Sequence, residues 1–189
     1  MFALRAMPRQ LPIALLSLLP MVACAGGSPA SSTAGPTAPS ALDFTVRDID
    51  GNRVRLSDFR GRQAVLLSFF ATWCVPCVAE LPHLRSLYQA NKARGFIVIA
   101  IAVDGPETVA NVANFVRRNE LPFPTIIDTD SAIADAFDPQ KSVPLSVLID
   151  KAGTIVRIRA GYAPGDEELV ARDVALVLGA GPTGTDSSR

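Results

Sequence analysis

The chain has 189 residues, 49% hydrophobic and 19% charged, which suits one globular domain with segments to spare and excludes disorder throughout. Lysine plus arginine total 18, as do aspartate plus glutamate, and the aromatic residues do not interleave with basic clusters, so no nucleic-acid surface is indicated. Three cysteines and a single histidine argue against a closed Cys/His zinc site, which needs four such ligands in one place, and no metal is expected.

In chain order, the first feature is Arg5 and Arg9 ahead of an apolar run over residues 11–23, the arrangement of a secretory signal. Pro12 and Pro20 interrupt the run, which is shorter than the roughly 20 apolar residues of a spanning helix. Its end, Met21-Val22-Ala23-Cys24, resembles the lipobox of bacterial lipoproteins, which implies lipidation of Cys24 as the first mature residue. Cleavage after Ala25 is the alternative, because Ala23-Cys24-Ala25 also fits a small-x-small site. Both readings imply export and remove Cys24 as a free thiol of the folded domain. With residues 1–23 read as a signal, residues 24–41, rich in Gly, Ser, Thr, Ala and Pro, read as a flexible tether. Residues 181–189 read as a frayed tail, which leaves residues 42–180 as the domain.

Within that domain Leu42, Phe44 and Val46 alternate with polar residues, Asp50-Gly51 marks a turn, and Val54 and Leu56 resume the alternation, which predicts an N-terminal β-hairpin. Residues 64–71 (AVLLSFFA) and 96–103 (FIVIAIAV) are nearly continuous apolar runs of strand length, as expected of central strands covered on both faces. Helical spacing follows at residues 78–93 and 107–119, the latter with Val109, Val112 and Val116 on one side. Strands at 125–127 and 145–149 flank a helical piece at 131–137. Val156 and Ile158 then alternate with Arg157 and Arg159, predicting a strand with one wet face, and residues 166–178 read as a closing helix. The order ββ, β, α, β, α, β, α, β, β, α predicts an α/β sandwich with a mixed sheet.

Once Cys24 is set aside, the domain holds two cysteines, Cys74 and Cys77, in one C-x-x-C. A chain long enough to build its own core has little need of one bridge across three residues, so the pair points to redox chemistry rather than scaffolding. Thiol–disulfide exchange needs a thiolate with solvent access. At a helix N-terminus Cys74 faces free backbone N–H groups and the positive end of the helix dipole, which favour its thiolate. Cys77, one turn further in, is placed to resolve the mixed disulfide. Pro76, lacking an N–H, is tolerated in a first helical turn.

The run at residues 70–77, FATWCVPC, followed by Glu80-Leu81-Pro82, resembles the TlpA/ResA-like branch of the thioredoxin superfamily, over about residues 42–178. The resemblance implies a thioredoxin-like three-layer α/β/α sandwich, with an N-terminal β-hairpin and a central βα insertion at about residues 96–119. It implies no cofactor beyond the redox-active Cys74–Cys77 pair. Val143-Pro144 matches the superfamily's cis-proline beside the cysteines, where backbone groups pair with an extended substrate; a trans proline leading into an edge strand is the plainer alternative. Leu145 stands where many relatives have threonine, which makes the substrate-facing surface more apolar.

By the same resemblance Glu80 is associated with the active site, where burial near Cys77 would raise its pKa and fit it for proton transfer; a solvated glutamate at the helix edge is the alternative. Pro82 falls inside that helix, where it has a structural role. Trp73 is expected to shield the site and contact partners, or else simply to pack. His83 projects off the apolar stripe, so a copper site would have to recruit the redox pair. Val78 stands where c-type haem attachment needs histidine, and Leu67 and Ala71 stand where the peroxiredoxin pattern has other residues. The implied activity is reduction of disulfides in exported proteins, such as apocytochrome c, in the periplasm or cell envelope, with electrons from a membrane thiol transporter. A thiol oxidant, or a copper-delivery or chaperone-like module holding metal on the two cysteines, are the alternatives.

Overall fold

The computed structural model describes residues 40–140 and 142–179. The signal, the lipidation candidate Cys24, the tether up to residue 39 and the tail at 181–189 lie outside the described residues.

Two apolar strands organise the chain. β3 (Ala64–Phe70) and β4 (Phe96–Ala102) pair in parallel, and every residue of both is buried. β6 (Leu145–Ile149) runs antiparallel on the other side of β3, β7 (Ile155–Ala160) follows it at one edge, and β5 (Thr125–Ile127) closes the other, giving the order β5-β4-β3-β6-β7. The hairpin of β1 (Thr45–Arg47) and β2 (Arg53–Arg55) forms its own two-stranded sheet. It docks on β5 through Ile49 N–H to Thr125 O at 2.9 Å.

Because successive strand residues point to opposite faces, β3 and β4 feed two cores. Leu66, Phe70, Val98 and Ala100 pack against α1 (Val75–Asn91), α2 (Val109–Arg118) and α4 (Asp166–Val177). Leu67, Phe69, Ile99 and Ile101 pack against α3 (Ala132–Phe137) and the hairpin residues Val54 and Leu56. The result is the expected mixed α/β sandwich. α2, from the inserted βα unit, is integral to it: Val112 and Phe115 are buried, and Phe115 stacks on Phe70 with ring centroids 5.8 Å apart. The chain re-enters the sheet from α1 through Gly95 at φ +83°, where a Cβ would lie 2.8 Å from the Arg62 carbonyl oxygen. Only glycine fits that approach.

The structure departs from the sequence reading in two places. The domain begins earlier than residue 42, because Ser40 bridges to Thr154 and Ala41 is buried with its N–H on Gly153 O at 3.0 Å. α1 starts at Val75, ahead of the apolar spacing that begins at 78, and agrees with the placement of Cys74 at the helix N-terminus and Pro76 in its first turn. On β7 the arginines alone do not make the wet face: Asp173 of α4 draws in both Arg157 and Arg159, and Ile158 is left 49% exposed. Arg159 is half-buried there, while Arg157 stays exposed along with Val156 and Ile158. Among the described residues no helix is long and apolar enough to cross a membrane.

Candidate active site

The site begins where β3 ends. Phe70 and Ala71 are buried, and the next residue, Thr72, is tied to the neighbouring strand. Its N–H and hydroxyl both donate to the carboxylate of fully buried Asp104, just past β4, at 2.9 and 2.5 Å. The turn tightens through Cys74 N–H to Ala71 O at 3.1 Å, and Cys74 becomes the N-cap of α1. Its sulfur accepts the Cys77 N–H at 3.3 Å, in the place of an ordinary oxygen cap. The first turn of α1 has no acidic residue, so the positive end of the helix dipole acts on the sulfur. Pro76 occupies that turn, as its missing donor allows.

Cys74 and Cys77 form a disulfide with Cα atoms 5.3 Å apart. Cys77 has no exposure and Cys74 has 5%, so their order is the expected one, but the outer sulfur is less open than a freely accessible nucleophile. The exposed surface around it belongs to Trp73 (61%), Val75 and Pro76. Trp73 is therefore a surface residue rather than a packed one.

The Val143–Pro144 peptide bond is cis. Pro144 is buried, and its carbonyl accepts the Gly161 N–H at 2.7 Å, which ties this loop to the end of β7. Val143, Trp73, Val103 and Leu145 line one recess of about 250 Å³, with Phe69 at its base. Leu145 adds to the apolar side of that recess, and Ser131, Asp138 and Ser142 contribute the polar part of its lining.

Glu80 is buried on the inner face of α1, not solvated at its edge. It sits over the row formed by Ser68 of β3 and Ser146 of β6, which face each other in antiparallel register. The Ser146 hydroxyl donates to Glu80 Oε1 at 3.1 Å, whereas the buried Ser68 hydroxyl has no partner. Burial pushes the Glu80 carboxyl up to about 7; the Ser146 hydrogen bond works against that rise, and the charge of Asp166 adds to it.

His83 lies on the exposed side of α1 with its ring 6.2 Å from that of Tyr162. Among the described residues no three His, Cys, Asp or Glu side chains are grouped to hold a metal ion. Sequence reasoning did not find Asp104, Ser146 or Asp166. The one available signal was for Asp104, an acid directly ending the apolar run of β4, at the carboxyl end of a parallel strand.

A mixed sheet carrying a cysteine pair at the start of its longest helix defines a thioredoxin-like protein. Residues 37–158 match the AhpC/TSA family, and the chain belongs to it. It is 38% identical over 127 residues to the thiol-disulfide oxidoreductase ResA of Geobacillus kaustophilus (strain HTA426), covering 67% of this chain and 69% of that protein. It is also 38% identical over 117 residues to ResA of Bacillus thuringiensis subsp. konkukian (strain 97-27), covering 62% of this chain. The chain spans 65% of the length of that relative. A thioredoxin-family thiol:disulfide interchange protein from Chlorobium tepidum TLS superposes with a TM-score of 0.66 at 26% identity, covering 77% of this chain and 99% of that one.

Proposed function

We propose that the protein is an exported thiol–disulfide oxidoreductase that reduces disulfides of extracytoplasmic proteins, with the Cys74–Cys77 pair as its own redox group. The observation that carries this reading is the placement of the two sulfurs, with Cys74 capping α1 at the edge of an apolar exposed surface and Cys77 sealed behind it. In the reductive direction the Cys74 thiolate attacks a substrate sulfur and forms a mixed disulfide, releasing the first substrate thiolate. Cys77 gives its proton to the Glu80 carboxylate and attacks Cys74 Sγ, which closes the enzyme disulfide and releases the second substrate thiolate. Two electrons pass to the substrate, and both of its thiolates take up protons.

Trp73, Val143 and the cis Pro144 form the surface that receives the substrate segment, and the recess beside them takes an apolar side chain near its cysteine. Electrons return from a membrane thiol transporter, and a lipid on Cys24 keeps the domain at the membrane of the cell envelope. Apocytochrome c thiols, made free before haem attachment, are a substrate of the required kind.

The reduction potential of the couple tests the direction. Residues 25–189 are equilibrated in thiol redox buffers and the dithiol fraction is read by thiol trapping. A value near about −270 mV, as in thioredoxin, fits a reductase with an electron supply; one near about −120 mV, as in DsbA, makes the protein an oxidant and overturns the proposed direction.

A further inference from the structure

A buried base that accepts a proton from Cys77 must release it to water once per turnover. Among the described residues, cavities on the α4 side reach Glu80. One, of about 260 Å³, runs between α1 and α4 and is walled largely by Leu84, Leu87, Val170 and Ala171. The other, of about 300 Å³, lies between the end of β7 and the start of α4 and presents Arg159, Tyr162 and Asp166. A chain of waters needs both room and polar partners, and the lining of the second cavity is the more polar of the two.

We infer that the cleft walled by Tyr162 and Asp166 is the path by which the Glu80 carboxyl exchanges its proton with solvent, and that Asp166 is a positioning residue acting through Glu80. The inference rests on the reading that Glu80 serves the resolving thiol, and deepens it.

The wall of the cleft is a built turn. Gly161 and Gly165 take φ of +83° and +104°, the Ala163 N–H donates to Asp166 Oδ2 at 2.8 Å, and the Tyr162 hydroxyl and Gly165 N–H both donate to Glu167 Oε2 at 2.9 Å. Asp166 and Tyr162 are thereby held at the mouth. Through its N–H on Pro144 O, Gly161 also joins this wall to the loop beside the cysteines.

Several groups face Glu80 from the surrounding elements. Ser146 of β6 donates to it directly. Arg159 of β7 lines the cleft with its guanidinium committed to Asp173 of α4. Asp166 at the start of α4 lines the same cleft, and His83 of α1 with Glu167 and Glu168 of α4 border the neighbouring cavity. The charge of Asp166 acts on Glu80, favouring its protonated form. In the resolving step the Cys77 proton moves to Glu80, the Cys77 thiolate forms the S–S bond with Cys74, and the substrate thiolate leaves. Glu80 then passes that proton to cleft water and returns to the carboxylate.

The test uses residues 25–189, reduced and mixed with excess 5,5′-dithiobis(2-nitrobenzoate). The first thionitrobenzoate released reports attack by Cys74 and whether each variant is folded; the second reports resolution by Cys77. The resolving rate is followed by stopped flow between about pH 5 and about pH 9 for the parent, Glu80→Gln, Asp166→Asn and Asp166→Glu. The expected result is an inflection that Glu80→Gln abolishes, that Asp166→Asn moves to lower pH and that Asp166→Glu restores. If Glu80→Gln abolishes the inflection and Asp166→Asn leaves it in place, the role of Asp166 is overturned while that of Glu80 stands. If Glu80→Gln leaves the inflection unchanged, the reading of Glu80 fails and the inference with it.

Discussion

At the scale of single residues, three side chains divide the chemistry by depth. In the proposed mechanism Cys74 at the helix cap attacks, Cys77 behind it resolves, and Glu80 one turn deeper manages the proton. Cys74→Ser is expected to abolish reduction of a disulfide substrate such as insulin. Cys77→Ser should leave Cys74 able to attack but unable to let go, so that intact mass spectrometry of the reaction finds the substrate covalently attached; recovery of free Cys77→Ser protein alone would reverse the assigned roles.

The Glu80 carboxyl binds its proton with a pKa of about 7 in the fold against an ordinary 4.5. Between those values the folded chain holds a proton that the unfolded chain has released, so stability falls as pH rises through this window and stays reduced above it. The difference amounts to about 3 kcal/mol. Glu80→Gln keeps an acceptor for Ser146 and removes the ionisation. In urea unfolding of the oxidised protein it should gain up to about 3 kcal/mol over the parent at about pH 8 and nothing at about pH 4. Equal effects at both pH values would show that burial does not raise this carboxyl.

At the scale of elements, the site is a junction of strand ends. β3 delivers the cysteines, β4 delivers Asp104, β6 delivers Pro144 and Ser146, and the turn after β7 delivers Tyr162 and Asp166. Asp104→Ala removes both acceptors of Thr72 two residues before the nucleophile, leaving an N–H and a hydroxyl to find new partners. The expected cost is about 1–3 kcal/mol in urea unfolding, accompanied by a changed potential of the cysteine couple. A variant as stable as the parent with an unchanged potential would mean that the Cys74 turn is held by α1 alone. The strands themselves were legible, because β4 is apolar at every position and β3 at every position but Ser68, as a buried strand covered on both faces requires. The start of α1 was legible from the motif, with Cys74 at the helix N-terminus and Pro76 in its first turn, but not from the apolar spacing, because a sulfur cap has no hydrophobic period.

At the scale of the whole molecule, the disulfide closes a loop of only a few residues, which removes about 2 kcal/mol of entropy from the unfolded chain. A reductase adds no special support for its dithiol, so the oxidised protein should unfold at the higher urea concentration by about that amount. In an oxidant of the DsbA kind the dithiol form is the stabilised one and the order reverses. Paired urea titrations of the oxidised and reduced protein therefore give an independent reading of direction.

The chain by itself determined the order of strands and helices, the cysteine pair and the proline ahead of β6. Each of these is written in local terms, as a hydrophobic period, a motif or a single residue type. The cis bond at Pro144 and the burial of Glu80 were expected only through resemblance, and the tertiary structure decided both. It also decided what no local pattern encodes: that Thr72 meets Asp104 across 32 positions, that Glu80 meets Ser146 across 66, and that Asp166 shares a cleft with Glu80. Those partners are chosen by strand register and by which sheet face each helix covers. Register and face are properties of the packed sheet, and a proton's route through it exists only once that packing is made.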